Sequence, residues 1–347
     1  MALNDLAVTF AVAAVAAGVT WGLTPFAARL AGILDMQDRP AERKLHESLI
    51  PYLGGLAILG GWFVVFLTPG TLGESVTLVA AMGALVVVGF VDDRHDISPH
   101  LRLVIQAGVA SAAFAGGIQM TPTEIGVVDF GLTIVWLVGM TNAFNFMDNM
   151  DGLAAGVGGI GALFLGISGI LFGQQLVSVL GFALAGSCFG FLRHNAHPAR
   201  IFMGDTGSLP LGFCLAAVAI KVEFPGIHPL VASSIPVIIL GLFVADTCVM
   251  ALGRLQRGEP VVGGRLDHLS HRLLVKDLPV REVAGRMYGV AVALGICGLA
   301  VPLVPAVTGA AIVGGVVVVS AWGVSRALRW PILRALPAVE PLVQDAA

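Results

Sequence analysis

The amino-acid sequence predicts an all-α integral membrane protein that crosses the bilayer about eleven times. The 347-residue chain is 57% hydrophobic and only 12% charged, and its mean hydropathy of +0.91 is far above that of water-soluble domains. Its apolar runs approach the roughly 20 residues that a helix needs to cross the hydrocarbon core. These runs are rich in Ala, Gly, Leu and Val and lack polar alternation, which favours helices over a β-barrel.

The predicted membrane spans follow one another along a single membrane domain, residues 1–347. A long loop at 253–283 and a tail at 325–347 are the main polar segments after the ninth span and at the end of the chain. The spans lie near residues 6–28, 52–68, 75–91, 103–120, 125–144, 153–173, 176–193, 208–222, 230–252, 284–303 and 305–324.

The basic residues predict the orientation of this domain, because Lys and Arg concentrate in cytoplasmic loops. With the N-terminus outside and the C-terminus cytoplasmic, all of the 19 Lys and Arg residues except Lys221 fall in or beside cytoplasmic segments. One missed span would reverse every later loop, so this agreement supports the predicted topology.

Composition also excludes several classes of function. The formal net charge is −3 and no basic stripe is interleaved with aromatic residues, so no nucleic acid partner is expected. The four cysteines, Cys188, Cys214, Cys248 and Cys297, lie singly in apolar runs, which supports neither a disulfide framework nor a zinc site.

The acidic residues cluster at helix ends that the topology places on the cytoplasmic face. Asp92 and Asp93 follow the third span, Asp148 and Asp151 follow the fifth, and Asp205 precedes the eighth. A polar, solvated helix end would explain any one of them. It does not explain the doublet, since adjacent carboxylates repel each other unless a cation or a substrate phosphate compensates. The three loops are therefore expected to form one site.

The stretch "NAFNFMDNMDGL" adds a carboxamide to this set. Asn145, Asp148 and Asp151 are spaced by three, which places them on one face of a helical turn. Oxygen ligands without converging Cys or His suit a hard cation, so we expect Mg²⁺, with Mn²⁺ as the alternative.

Basic groups in two loops could hold anionic ligands. Arg43 and Lys44 lie in the first loop, and Arg265, His268 and His271 lie in the loop at 253–283. The preference for positive charge in cytoplasmic loops accounts for most of them. It does not account for "DHLSH", a grouping suited to binding or protonating phosphate oxygens.

Five ordered motifs together resemble one family of enzymes. They are "DMQDRP" to "IPYLGGLAI", "VGFVDDRHDISPHLRLVIQA", "NAFNFMDNMDGLAAG", "ARIFMGDTGSLPLGF" and "RLQRGEPVVGGRLDHLSHRLL". In this order they resemble the polyprenyl-phosphate N-acetylhexosamine-1-phosphate transferases over about residues 25–285, most of all the bacterial branch that uses undecaprenyl phosphate. The resemblance implies transfer of N-acetylglucosamine 1-phosphate from UDP-GlcNAc to this lipid with release of UMP.

The resemblance also implies a cellular setting. Such enzymes act at the cytoplasmic face of the bacterial plasma membrane and begin O-antigen, enterobacterial common antigen or teichoic acid linkage units. The expected partners are the UDP-HexNAc, the polyprenyl phosphate and membrane lipid. Whether the protein forms a homodimer in the bilayer is left open.

Roles for individual acids come from the resemblance as well. The pair matching Asp92 and Asp93 serves catalysis and the handling of lipid phosphate or metal. The acid matching Asp205 binds Mg²⁺ with help from the position matching Asn145, and Asp93 is a further candidate ligand.

The remaining expected site residues contact substrate. Asp148 and Asp151 are expected to be catalytic together with Asp92 and Asp93, and the positions matching them line the nucleotide-sugar site. The aromatic residue matching Phe202 stacks near the uracil. Arg43 and Lys44 are expected at the lipid phosphate. The resemblance places the other substrate-binding positions in and before the long loop, at Asp246, Arg265, His268 and His271.

The chain departs from the family pattern at two positions, and both put the sugar specificity in question. Ser270 stands where many relatives have the middle histidine of His-x-His-His, and Asn149 stands where glycine is frequent. A branch that transfers phospho-MurNAc-pentapeptide is the alternative, but it usually has a basic residue where Asp96 lies. A polytopic transporter is the rival from another class, and it would favour acids at mid-membrane, where we place only Asp246.

Overall fold

The computed structural model describes residues 3–38, 49–261 and 266–332. Within these ranges the chain is helical apart from one two-stranded antiparallel ribbon, which agrees with the predicted all-α fold. The helices and strands are α1 (Leu3–Ile33), β1 (Gln37–Asp38), β2 (Ile50–Pro51), α2 (Gly54–Trp62), α3 (Thr71–His95), α4 (Pro99–Ala115), α5 (Gly126–Met147), α6 (Leu153–Leu171), α7 (Gln175–Asn195), α8 (Asp205–Lys221), α9 (Pro229–Ile239), α10 (Gly241–Gln256), α11 (Leu269–Leu274), α12 (Val280–Ala300) and α13 (Ala306–Leu328). Short 3₁₀ turns follow α2 (Phe63–Leu67) and α12 (Val301–Leu303).

Each predicted span coincides with a helix or a pair of helices, but the count of eleven is not confirmed. Among the described residues, seven helices are long and apolar enough to cross a membrane, or eight if α9 and α10 form one span. The helix that begins at α2 covers only Gly54–Leu67 and ends in a 3₁₀ turn. The helices α4 and α8 have 17 residues each, about 26 Å at 1.5 Å per residue, which is shorter than a typical hydrocarbon core. The chain is a multi-pass membrane protein.

The predicted span 230–252 is two helices rather than one. The axes of α9 and α10 meet at 77°. Pro236 in α9 and Gly241 at the start of α10 flank the break, and both residue types weaken a continuous helix.

The helix α8 lies at the centre of the fold. It packs against α2, α3 and α5, while α7 packs between α1 and α6. The helices cross closely where small residues meet. A Cβ atom on Gly55 would overlap the backbone of Gly207, so both glycines are required for α2 to approach the first turn of α8.

Backbone hydrogen bonds bring the segment before α8 against the ribbon. Phe202 N donates to Pro51 O (2.9 Å), Gly54 N donates to Phe202 O (2.9 Å) and Gly55 N donates to Met203 O (3.0 Å). Phe202 is thereby held beside β2, and the N-terminus of α8 opens at the same end of the molecule as the C-termini of α3 and α5.

Candidate active site

A cavity of about 670 Å³ opens at this end, and most of the predicted site residues line it. Its lining combines the ends of α3, α5 and α8 with residues of the ribbon, the start of α4 and the segment at α11. The predicted residues that line it are Asp92, Asp93, Asp148, Asp151, Phe202, Asp205 and His271. Arg43, Lys44 and Arg265 lie outside the described residues.

Asp93 caps the N-terminus of α8. Its carboxylate accepts hydrogen bonds from Asp205 N (2.8 Å), Thr206 N (2.9 Å) and Thr206 Oγ1 (2.6 Å). A helix N-terminus has unpaired amide groups and a partial positive charge, so a carboxylate there is stabilising. The close approach depends on Gly89 of α3, where a Cβ atom would overlap the carbonyl of Asp205. These bonds give Asp93 a role in the fold, and its predicted role as a metal ligand stays a prediction.

Asp92 and Asp205 converge on one guanidinium group. Arg102 Nη1 donates to Asp92 Oδ2 (2.6 Å) and to Asp205 Oδ2 (2.8 Å), although the two acids come from different helices. The other oxygen of Asp92 accepts from Ile97 N (2.7 Å), which holds the turn after α3. Two carboxylates are therefore arranged around a single cationic group at the mouth of α8.

Asn145 contacts Asp205 from the last turn of α5. Its Nδ2 donates to Asp205 Oδ1 (2.7 Å) and to Ser208 Oγ (2.8 Å). With Arg102 on the other oxygen, both oxygens of Asp205 are oriented by neighbouring side chains. Asn145 thus acts on Asp205 through its amide nitrogen, which differs from direct coordination of a metal by its oxygen.

Asp148 and Asp151 differ in their surroundings. Asp148 ends α5, and burial together with the negative charges of Asp93 and Asp151 raises its pKa to about 7. Asp151 Oδ2 pairs with His197 Nδ1 (2.7 Å) and accepts from Ala199 N (3.0 Å), so it braces the loop between α7 and α8. Asp148 is therefore a carboxyl group whose charge responds to ligands near neutral pH, whereas Asp151 also supports the loop before α8.

Asp246 is a positioning residue for the histidine segment. It is 1% exposed, its Oδ2 lies 2.8 Å from His268 Nδ1, and its Oδ1 accepts from Leu269 N (2.7 Å). Both oxygens thus bind the start of α11, and the predicted contact of Asp246 with substrate stays a prediction. Because Nδ1 of His268 faces a carboxylate, its other ring nitrogen is the one available to a ligand.

His271 lines the cavity itself. It is 3% exposed, and its buried Nδ1 has no hydrogen-bond partner in the part of the chain that the structure describes. Burial, and then the neighbouring His268, lower the pKa of His271 to about 4. At this pKa the imidazole is neutral at pH 7, and its predicted contact with substrate phosphate stays a prediction.

A buried ion pair holds this segment against α10. Arg254 donates to both oxygens of Asp267 (2.8 Å each), and both side chains are 2% exposed. Burial alone would raise the pKa of Asp267, but the hydrogen bonds and charge of Arg254 outweigh it and lower the pKa. On the other side, Arg272 Nη1 donates to Ala327 O and Trp330 O (2.9 Å each) at the end of α13.

The two positions that depart from the family pattern contact each other. Ser270 Oγ donates to Asn149 Oδ1 (2.8 Å), and Asn149 Nδ2 donates to Phe146 O (2.5 Å). Asn149 also lines the cavity, and Ser270 is fully buried. This contact joins the loop that carries Asp148 to the helix that carries His271.

The chain is similar in sequence to characterised families over most of its length. A family model for glycosyl transferase family 4 matches residues 75–223. A probable undecaprenyl-phosphate N-acetylglucosaminyl 1-phosphate transferase of Bacillus subtilis is 34% identical over 270 residues, 75% of each chain. The chain belongs to glycosyl transferase family 4.

Two further relatives of this family 4 transferase are named for different activities. A decaprenyl-phosphate N-acetylglucosaminephosphotransferase of Mycobacterium leprae is 32% identical over 78% of this chain and 77% of its own. A phospho-N-acetylmuramoyl-pentapeptide-transferase of a Synechococcus strain is 33% identical over 69% of this chain and 75% of its own.

The acids of the family 4 transferase fit a hard divalent cation in part. In the described residues, no group of three or more His, Cys, Asp or Glu side chains is arranged to hold a metal. Asp92 and Asp205 nevertheless share one cationic partner, and carboxylate oxygens are the ligands that Mg²⁺ prefers. At phosphoryl-transfer sites, Mg²⁺ is usually held by one or two carboxylates, and water and phosphate oxygens complete its coordination. A pair of carboxylates matches this arrangement.

Several residues of the family 4 transferase's cavity have no predicted role. Arg102 is used in the sequence analysis only as evidence of orientation, and its position ten residues after Asp92 gives no sign of the contact. Asp38 and Tyr52 also line the cavity, and Tyr52 donates to Asp38 Oδ1 (2.7 Å) across the ribbon. Four residues of the site could be found only from the structure. Asp38, Tyr52 and Arg102 line the cavity, and His197 pairs with Asp151.

Proposed function

We propose that this family 4 transferase moves N-acetylglucosamine 1-phosphate from UDP-GlcNAc to a polyprenyl phosphate, undecaprenyl phosphate in particular, with release of UMP. The observation that carries the proposal is the convergence of acids from α3, α5 and α8 with Arg102 and His271 in one cavity at the ends of membrane helices. The substrate class is supported by the activities for which the bacterial relatives are named.

The proposed reaction exchanges one phosphoanhydride for another. An oxygen of the lipid phosphate attacks the phosphorus that carries the sugar, the bond to the UMP oxygen breaks, and UMP leaves with that bond's electron pair. The second pKa of a phosphate monoester is about 6, so the nucleophile is mostly ionised at pH 7. A general base is not required, and both oxygens of Asp92 already have hydrogen-bond partners.

The chain's own residues supply position and charge. Arg102 and any cation of the site would offset the charge of two approaching anions, and His271 offers a neutral imidazole on the cavity wall. Asp148, with a pKa of about 7, can take up or lose a proton as the local charge changes. Positioning and electrostatic stabilisation dominate such phosphoryl transfers.

We propose Mg²⁺, with Mn²⁺ as the alternative, as the cofactor. Asp92 and Asp205 would hold it, and Asn145 would keep Asp205 oriented through its amide nitrogen. A bound divalent cation would supply charge neutralisation on the diphosphate.

The proposed location is the bacterial plasma membrane with the cavity on the cytoplasmic side. The support is the distribution of Lys and Arg, which concentrate beside the loops that form the cavity end. The polyprenyl chain would then reach the cavity from the lipid that surrounds the apolar helices.

A direct assay tests the proposal. Purified protein is supplied with Mg²⁺, undecaprenyl phosphate and either UDP-GlcNAc, UDP-GalNAc or UDP-MurNAc-pentapeptide, and UMP release is measured. We expect release with UDP-GlcNAc. Release only with the pentapeptide substrate would favour the alternative reading that the Synechococcus relative raises, and no release with any donor would reject the enzyme.

The same assay tests the role of Asp205. We expect Asp205→Asn to lower UMP release by about 100-fold or more, because it removes a charge that both Arg102 and the cofactor would use. The matched control is Glu282→Gln, an exposed acid on α12 paired only with Arg286 in the described contacts, which should leave the rate unchanged. A fully active Asp205→Asn variant would contradict the proposed site.

A further inference from the structure

The contact of Arg102 with the acid pair has a feature that a simple structural salt bridge lacks. A single nitrogen, Nη1, carries both charged hydrogen bonds, to Asp92 Oδ2 at 2.6 Å and to Asp205 Oδ2 at 2.8 Å. An arginine that serves only structure usually binds a carboxylate with two nitrogens at once, as Arg254 binds Asp267 elsewhere in this chain. The guanidinium of Arg102 instead lies between the acids as a point cation would.

The guanidinium group of Arg102 does not use all of its hydrogen-bond donors. Among the described residues, the buried Arg102 Nε has no hydrogen-bond partner. A buried donor without a partner is unfavourable, so an incoming ligand that accepts a hydrogen bond from this group would lower its energy. The side chain is 16% exposed at the cavity and can contact an incoming ligand without unfolding its helix.

The backbone keeps Arg102 in reach of both acids. It lies in the first turn of α4, where Arg102 N donates to Ser98 O (3.0 Å) and Ser98 Oγ caps Leu101 N (3.4 Å). The neighbouring turn is tied to Asp92 through Ile97 N. The arginine is therefore part of a small rigid unit with one of the acids that it neutralises.

We propose that Arg102 is the resident counter-cation of Asp92 and Asp205, and that a divalent cation competes with it for these carboxylates. The inference rests on the proposed function, since that function supplies the cation. Without the guanidinium, the buried carboxylate of Asp92 and the partly exposed one of Asp205 would face each other, which is costly. With it, one of the two negative charges is offset before substrate arrives, and cation binding requires Arg102 to give up at least one of its two partners.

The consequence is that Arg102 weakens cation binding in the absence of substrate. Removing the guanidinium should therefore tighten cation binding, which is the opposite of what loss of a merely structural residue would do. Linkage is reciprocal, so any ligand that draws Arg102 away from the acids would also favour the cation.

Direct titration with Mn²⁺, followed by electron paramagnetic resonance on detergent-purified full-length protein, tests the competition without reference to activity. Arg102→Met removes the charge and keeps much of the side-chain volume, whereas Arg102→Lys keeps a cation. Arg94→Met is the matched control, because Arg94 is exposed, lies two residues from Asp92 and donates to Leu34 O rather than to an acid. Circular dichroism and size exclusion confirm the fold of each variant.

We expect Arg102→Met to bind Mn²⁺ about tenfold more tightly than the unmodified protein, a difference of about 1.4 kcal/mol. Arg102→Lys and Arg94→Met should stay within about threefold of it. A folded Arg102→Met variant that binds no more tightly than Arg94→Met would overturn the inference, as would equal tightening in Arg102→Lys.

Different results would reject the proposed function and the proposed competition between Arg102 and the cation. Absence of UMP release from the unmodified protein with every donor would reject the proposed function, while the Mn²⁺ titrations would still decide the role of Arg102. Normal UMP release combined with unchanged Mn²⁺ affinity in Arg102→Met would reject the competition alone.

Discussion

Asp93 shows at the scale of one residue how a carboxylate in an acidic doublet can serve the fold. Asp92 faces Arg102, whereas the adjacent Asp93 faces three hydrogen-bond donors at the start of α8. The two side chains point to different partners because successive residues on a helix are about 100° apart. The doublet therefore divides into one residue for the site and one for the helix that carries Asp205.

This division predicts the effect of removing the cap. We expect Asp93→Ala to lower the free energy of unfolding by about 1–2 kcal/mol through loss of the bonds to the N-terminus of α8. Thermal unfolding in detergent measures the change, and Asp93→Asn, which keeps one acceptor oxygen, should retain part of the stability. If Asp93 were a metal ligand, Asp93→Ala would instead weaken Mn²⁺ binding at unchanged thermal stability.

His271 leads to a prediction about pH. Its pKa is about 4 in the folded protein and about 6.5 when unfolded, so the unfolded state binds more protons between these values. The stability that depends on neutral His271 is present above pH 6.5 and is lost as the pH falls toward 4. We expect about 2 kcal/mol of this loss at pH 5 relative to pH 7.

Comparing the unmodified protein with His271→Gln isolates the contribution of His271 to the pH dependence of stability. Asp148 titrates in the opposite sense, because its raised pKa makes the folded state more stable as the pH falls from about 7. The difference in thermal midpoint between the two proteins should therefore shrink from pH 7 to pH 5. A constant difference across this range would contradict the assignment of a neutral, buried imidazole.

At the scale of elements, the contact between Asn149 and Ser270 joins the end of α5 to α11. It is a hydrogen bond of ordinary length (2.8 Å) whose donor, Ser270, is fully buried, and its two residues are the chain neighbours of Asp148 and His271. The departures of both positions from the family pattern thus form one structural feature. A glycine at 149 would have no side chain to contact position 270.

A double-mutant cycle measures this coupling. We expect Asn149→Ala and Ser270→Ala each to lower kcat/KM for UDP-GlcNAc about fivefold, and the double variant to lower it by little more, a coupling of about 1 kcal/mol. The control cycle pairs Asn149→Ala with Ser234→Ala on α9, which bonds to Val231 O and should act additively. Additive losses in the first cycle would contradict the coupling.

The packing of α3 against α8 provides a second prediction at this scale. Gly89→Ala places a methyl group against the carbonyl of Asp205, and we expect it to destabilise the fold by about 1–3 kcal/mol and to lower UMP release. Gly83→Ala in the same helix is the matched control, because its Cβ would meet nothing within 4 Å. Thermal unfolding and the UMP assay on both variants check the prediction, and equal behaviour of the two would exclude a packing requirement at Gly89.

At the scale of the whole molecule, polar chemistry collects at one end of an apolar bundle. The core helices α6, α7 and α8 are largely buried, while α1 and α13 expose large apolar side chains to what would be lipid. The cavity forms where α3, α5 and α8 end, because helix ends leave unpaired amide and carbonyl groups that need polar partners. The same ends can therefore be bridged by ligands.

Hydropathy and motif order predict much of the fold and of the site. The positions of the helices follow from apolar runs, and the grouping of Asp92, Asp148, Asp151 and Asp205 follows from the alternation of spans. The number of spans could not be predicted from hydropathy. The run 230–252 is apolar throughout, but it forms two helices that meet at 77° near Pro236 and Gly241. Hydropathy measures how apolar a segment is and not the direction in which it runs.

The sequence by itself determined the class of protein, its family and the set of acids at one membrane face, since these depend on composition, order and spacing. Only the tertiary structure decided which partner each acid has. Asp92 and Asp205 meet on Arg102, Asp93 caps α8, Asp246 holds His268, and Asn149 meets Ser270. These partners are separated by 10 to 121 residues along the chain, and side chains so distant are brought together by helix packing, which local sequence patterns do not encode.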